Sequence, residues 1–231
     1  MSVSVEYRGD VAILTMDDGK ANAVSHEMLD ALNAAFDEAE QNSGAIVLTG
    51  RPGKFCSGFD LKVMLGDDLD AVAKLAHRGG EMALRLFANP KPLIAACNGH
   101  GMAIGAIFLL ACDTRFGIGG DYHLGLNETA LGLVLPPFCT SLAMARIPTS
   151  EITESVIQGK VHGPETAKAA GFLDHLCQPE DMLEEAVAYA TEMAKLPTKT
   201  YLGNKLAMRT ETIAVMQEDL KTVRAITRHS I

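Results

Sequence analysis

The chain reads as an α/β protein, and three observations lead there. Short apolar strands alternate with amphipathic helices through the first half, glycine-bearing turns follow strand ends, and after Pro137 the pattern becomes mostly helical. Alternation of this kind builds an α/β layout whose ligand-facing loops follow strand ends.

Residues 3–8 and 11–16 alternate or run apolar around Gly9-Asp10 and read as a hairpin. Ser25 is placed to cap a helix running to about Glu40, with Met28, Leu29, Leu32 and Phe36 on one face. Asn42-Ser43-Gly44 is a turn, and Ala45–Thr49 a fully apolar strand. A loop, GRPGKFCSGFD, follows, then a helix from Leu69 to Phe87 that Pro90 and Pro92 end. Leu93–Cys97 is a strand, Asn98–Gly105 a glycine turn, Ala103–Ala111 a buried helix and Thr114–Ile118 another strand. Beyond Pro137, helices are expected over 138–146, 149–157, 164–170, 180–195 and 202–228. The last carries an apolar stripe of Met208, Ile213, Met216, Leu220 and Val223. Such a stripe packs on its own domain or on a sister subunit.

At 231 residues, 48% hydrophobic and 21% charged, the composition is that of a soluble globular protein with one sizeable core. The longest apolar runs, Met102–Cys112 and Leu131–Phe138, fall short of the roughly 20 residues that cross a bilayer. Met1 leads directly into an alternating strand without a signal-like pattern, so a cytoplasmic location is expected and no membrane partner. Five cysteines (Cys56, Cys97, Cys112, Cys139, Cys177) are widely spaced and form no CxxC pair. They read as buried reduced thiols, and neither zinc nor a disulfide framework is indicated. The seven histidines form no i, i+4 ligand pair, so no metal is expected; His100, in the glycine turn, is the one to test. A net charge of −9 argues against nucleic acid as a partner, and an anionic ligand would need a local basic patch.

Chemistry concentrates in three segments. Leu124–Phe138 (LGLNETALGLVLPPF) carries a single carboxylate, Glu128, in an otherwise uncharged run. Burying an unpaired acid is costly, which suggests a role for it, although a capping carboxylate in water fits the segment equally. Asn127 is placed as a helix N-cap with Glu128 in the first turn. There the helix dipole would lower the glutamate pKa and apolar neighbours would raise it. In Phe55–Asp60 (FCSGFD), Gly58 allows a ligand close to the main chain and aims the Phe59 N–H at a cleft, or merely completes a turn. Ser57 lacks the GxSxG elbow of a serine hydrolase. Asn98–Ala106 (NGHGMAIGA) joins an apolar strand to an apolar helix. Its unpaired N–H groups suit an oxyanion, or its small residues serve close packing. The dinucleotide GxGxxG arrangement is missing.

These segments, in this order, resemble the crotonase (enoyl-CoA hydratase/isomerase) family. GKANAVS at Gly19–Ser25, IVLTGRPGKFCSGFDL, IAACNGHGMAIGAIFLLACD and GLNETALGLVLPPF carry the resemblance, which covers essentially the whole chain. It implies a crotonase-like spiral of ββα turns over 1–195 and a C-terminal helical trimerisation region over 196–231, in a homotrimer or hexamer. It implies an acyl-CoA substrate whose thioester oxygen sits between two backbone N–H groups, by position those of Phe59 and Ile104. CoA would lie against Ala21–Ala23 and near Cys56, Ser57, Gly58 and Asp60, with Asn127 also touching substrate. Lys20, Lys54, Lys62, Lys205 and Arg209 are the candidate phosphate partners.

Hydratases of the family use two glutamates; here the first position is Ile107 and the second Glu128. The GLNET–LG pattern resembles the delta-3,delta-2-enoyl-CoA isomerases, in which one glutamate moves the proton. The resemblance therefore implies an isomerase of fatty-acid metabolism with Glu128 catalytic and no cofactor, since the thioester itself acidifies the alpha proton. A hydratase, hydrolase or decarboxylase using the same oxyanion hole is the second reading. A non-catalytic acyl-CoA binder is the third, and it draws weight from Ile104, which stands where the family usually has glycine.

Overall fold

A computed structural model of the chain describes residues 2–221. Its strands are β1 (Val3–Arg8), β2 (Val11–Met16), β3 (Ala45–Gly50), β4 (Gly53–Cys56), β5 (Leu93–Cys97), β6 (Gly99–Met102), β7 (Thr114–Ile118), β8 (Leu124–Gly125) and β9 (His175–Cys177). Its helices are α1 (His26–Asn42), α2 (Leu61–Met64), α3 (Leu69–Phe87), α4 (Ile104–Ala111), α5 (Pro137–Arg146), α6 (Pro164–Ala169), α7 (Met182–Ala194) and α8 (Thr198–Leu220). The main sheet has the order β1-β2-β3-β5-β7-β9, with β1–β2 antiparallel and every other pair parallel. A second, three-stranded parallel sheet has the order β4-β6-β8.

Each of the pairs β3–β4, β5–β6 and β7–β8 sends one strand to each sheet. The chain thereby advances as a spiral, as the resemblance implies. The anticipated hairpin, α1, α3, α4 and the apolar strands all form at or within a residue or two of their expected limits. Ser25 caps α1, its hydroxyl accepting from the Met28 N–H at 3.1 Å. Met28, Leu29, Leu32 and Phe36 of that helix are fully buried. Asn22, at φ +54, sits wholly buried between Ala21 and Ala23. Its amide donates to the carbonyls of Met16, Lys54 and Phe55, tying this loop to β2 and β4.

Four expectations are corrected. The GRPGKFCSGFD loop holds β4, and Asn98–Gly105 holds β6. Both strands are short and glycine-bearing because their main chains nearly touch: a methyl group on Gly99 would overlap the Gly53 carbonyl. The helix expected over 149–157 is only a π-helical turn, Thr153–Ile157. The final helix starts earlier, at Thr198. Its stripe buries Met216 and Leu220 but leaves Met208 88% exposed; Val223 and the expected continuation to 228 lie outside the described residues.

Lys205 and Arg209, expected to meet phosphates, serve the fold instead. Lys205 is buried, pairing with Asp113 at 2.7 Å and donating to the carbonyls of Asn89 and Lys91. Arg209 reaches Asp113 at 2.9 Å and lies over the Phe87 ring. Asp113 also accepts from the Leu93 N–H and the Tyr201 hydroxyl, each at 2.9 Å, so one carboxylate docks α8 onto the start of β5. The Asp113→Asn variant, which leaves the buried Lys205 and the partly buried Arg209 without their counter-charge, is expected to lose about 3 kcal/mol of stability in urea unfolding.

Candidate active site

The two glycine turns meet side by side. The segment before α1 pairs with the first: the Val24 N–H donates to the Gly58 carbonyl (2.8 Å), the Asp60 N–H to the Val24 carbonyl (3.0 Å) and the Ser57 N–H to the Ala21 carbonyl (3.2 Å). Gly58, at φ +114, lies against the second turn, where a methyl group in its place would sit 3.4 Å from the Ala103 Cβ. Ala103 itself holds φ +53, a costly conformation for a residue with a side chain. It precedes α4, whose second residue, Gly105, packs so closely that a methyl there would overlap the Cys56 carbonyl. Among the described residues, neither the Phe59 nor the Ile104 N–H donates to a protein acceptor. The Phe59 ring packs on Gly79 of α3, in space that a side chain there would fill.

Both turns wall a cavity of about 500 Å³. Ser57, Gly58, Phe59, Ile104, Asn127 and Glu128 line it together, joined by apolar residues of α2, of 131–136 and of the start of α5. Ala21, Ala23, Cys56 and Asp60 do not line it. Ala21 and Ala23 stand behind Ser57–Phe59, Cys56 is fully buried, and the Asp60 carboxylate caps α2 through the Lys62 N–H. The Asp18 carboxylate receives the N–H groups of Lys20, Asn22 and Ala23 and so holds this loop. Burial pushes its pKa up, but these bonds together bring it below the ordinary value.

Glu128 is the single carboxylate among the cavity-lining residues. It stands just ahead of a 3₁₀ turn, Thr129–Leu131, which Gly132 ends at φ +69. The helix expected there is therefore not formed, and Asn127 is not its N-cap. The Asn127 carbonyl, rather than its side chain, accepts the Ala130 N–H at 3.1 Å. A three-residue turn has little dipole to offer an anion. The residue as a whole is partly exposed, but its Oε2 is buried with no hydrogen-bond partner among the described residues. Burial pushes the carboxyl up to about 7, only partly offset by its own backbone N–H. The neighbouring Cys139 thiol is pushed well above its ordinary range, first by burial and then by the Glu128 charge, and stays protonated.

Ile107 is fully buried in α4 and lies outside the cavity lining. Lys54 and His100 line a shallower depression with Ser57, Met102 and His123, while Lys20 and Lys62 are exposed. The His100 ring meets Tyr122 edge-on at 5.5 Å, and burial lowers its pKa. A further cavity, near Asp113, Arg146, Lys205 and Arg209, is lined by cations already engaged with carbonyls and Asp113. Sequence reasoning missed Asn22 and Asp18; the signal was an asparagine between small residues, since this side chain tolerates positive φ.

Residues 6–229 match the family model described as enoyl-CoA hydratase/isomerase. The chain belongs to the enoyl-CoA hydratase/isomerase (crotonase) family. An enoyl-CoA hydratase of Mycobacterium ulcerans superposes with a TM-score of 0.93 at 32% identity, covering 96% of this chain and 98% of that one. An enoyl-CoA hydratase/isomerase family protein of Pseudomonas syringae superposes at 0.92 with 35% identity and 95% of each chain covered. The mitochondrial enoyl-CoA delta isomerase 1 of mouse is 27% identical over 91% of this chain and 74% of its own.

The raised carboxyl of Glu128 sets a stability dependence on pH. Its folded-state value lies above the ordinary 4.5, so its contribution to folding is complete below about pH 4 and is lost as pH rises through 7. Glu128→Gln should accordingly raise unfolding stability by on the order of 2 kcal/mol more at pH 9 than at pH 5, measured by denaturant titration at both.

Proposed function

We propose that the protein isomerises 3-enoyl-CoA to 2-trans-enoyl-CoA, with Glu128 as the only proton carrier. The single observation that supports this is Glu128 itself, a carboxylate walled into the cavity beside the two turns, with no hydrogen-bond partner for its Oε2 among the described residues. The thioester oxygen accepts from the Phe59 and Ile104 N–H groups, each stabilising the enolate by about 2–4 kcal/mol. Glu128 takes a proton from the alpha carbon. The freed C–H pair forms a double bond between the alpha carbon and the thioester carbon, and the C=O pair moves onto the thioester oxygen, giving a dienolate. As the C=O bond re-forms, the alpha–beta double bond of the 2-enoyl product forms, and the former beta–gamma pair takes the proton back from Glu128 at the gamma carbon. A carboxyl near 7 suits both halves, since it is neither too weak a base to take the proton nor too weak an acid to return it. Asn127, on the same wall, contacts the substrate.

Hydration of 2-enoyl-CoA is the second reading, favoured by the likeness to a hydratase. It calls for a further group to manage water, and Ile107 has no proton to move. Absorbance of the conjugated thioester separates the two. A gain from 3-enoyl-CoA is expected, and a loss from 2-enoyl-CoA would mark hydration. Glu128→Gln should lower kcat by about 10²–10⁴-fold. With wild type, kcat/KM should climb as pH rises through about 7 and level above it, because the base must be ionised to act. Binding of acyl-CoA with no turnover and no effect of Glu128→Gln would reject the isomerase and leave a binding protein.

A further inference from the structure

Apart from Ser57, Asn127 and Glu128, the described residues that line the cavity carry no charged, hydroxyl or amide side chain. Its walls are α2 with the residue that follows it, and the segment 131–136, closed at the inner end by Phe138 and Cys139. Four side chains on these walls are large, apolar and well exposed: Leu61 (64%), Leu65 (62%), Leu131 (59%) and Val134 (53%). Exposed apolar surface continuous with a binding cavity marks a ligand groove. One wall is also weakly held, since none of the four residues of α2 is buried, and the stretch 65–70 after it is exposed throughout. A wall with so few buried contacts yields at little cost.

We propose that this groove receives a medium- or long-chain, unsubstituted acyl tail, lying between Leu61, Met64 and Leu65 on one side and Leu131 and Val134 on the other. The inference deepens the reading above by naming the substrate's acyl class. A hydroxyl or carboxyl on the tail would find no hydrogen-bonding side chain among the described residues of these walls that line the cavity, and would be disfavoured. The groove's length continues outward along exposed leucines, so the tail gains apolar contact as it grows. A short acyl group would fill only the part next to Glu128 and leave these side chains in water.

Calorimetric binding of saturated butanoyl-, octanoyl- and dodecanoyl-CoA, below their micellar concentrations, tests this without requiring turnover. Each fully buried methylene is worth up to about fourfold in affinity. Octanoyl-CoA should therefore bind at least about tenfold more tightly than butanoyl-CoA, and dodecanoyl-CoA no more weakly than octanoyl-CoA. Leu65→Asp and Leu131→Asp, on opposite walls, should each cut the octanoyl-to-butanoyl ratio several-fold. A wild-type ratio within twofold of one would overturn the proposal, as would both variants keeping the wild-type ratio. So would a change of oligomeric state in Leu65→Asp with the ratio intact, which would assign these leucines to a second copy of the chain. Affinity that rises with tail length while 3-enoyl-CoA stays unconverted would sustain the acyl class and reject the isomerase.

Discussion

Close approach of main chain to main chain underlies the site. β4 and β6 lie so near that Gly99 has the Gly53 carbonyl where its Cβ would be, and at the end of β3 Gly50 has that of Lys54. Gly105 then seats the start of α4 on Cys56, and Gly58 comes against Ala103. Removing side chains from these positions costs conformational entropy in folding, on the order of 0.5–1 kcal/mol for each glycine relative to alanine. The surrounding core of Phe55, Phe108 and Leu109, all fully buried, offsets it. Phe59 and Ile104, from distant parts of the chain, are thereby brought to the lining of one cavity. The Ile104 side chain, 2% exposed, packs into the core.

Glu128 depends on that frame in a different way. A first-turn glutamate in a long helix would be held ionised by the dipole. Here the turn is three residues long, and desolvation outweighs what little dipole exists. The same burial that makes the carboxylate expensive in the folded state gives it a titration near neutrality, where accepting and returning a proton are both accessible.

The sequence made five of the six main-sheet strands, all but the three-residue β9, and the long helices legible because their apolar periodicity is strong. Ala45–Thr49 and Leu93–Cys97 are unbroken apolar runs, and α1 carries its Ser25 cap and a clean buried face. The second sheet was hidden. Its strands are two to four residues long, and the glycines that permit β4 and β6 to pair are the same residues that signal turns. Phe59, Ile104, Asn127 and Glu128 could be singled out from their segments, and the fold gathers all four. Lys205 and Arg209 could not be assigned from charge alone. Their partner, Asp113, is about ninety positions away in the chain, and periodicity carries no information on such pairings. Asn22 and Asp18 stayed hidden for another reason: their work is to bond main-chain groups in a loop, which leaves no periodic pattern.

The inner end of the cavity shares its wall with the C-terminal helix. Phe138 lines the cavity while its N–H donates to Asp219 of α8, and Gly80 leaves room in α3 for both the Phe138 ring and Leu220. A molecule seated against Phe138 therefore reinforces the docking of α8, and α8 fraying from α3 and α5 would loosen the seat. Any binding that requires this wall intact is thereby linked to the attachment of the chain's last described helix.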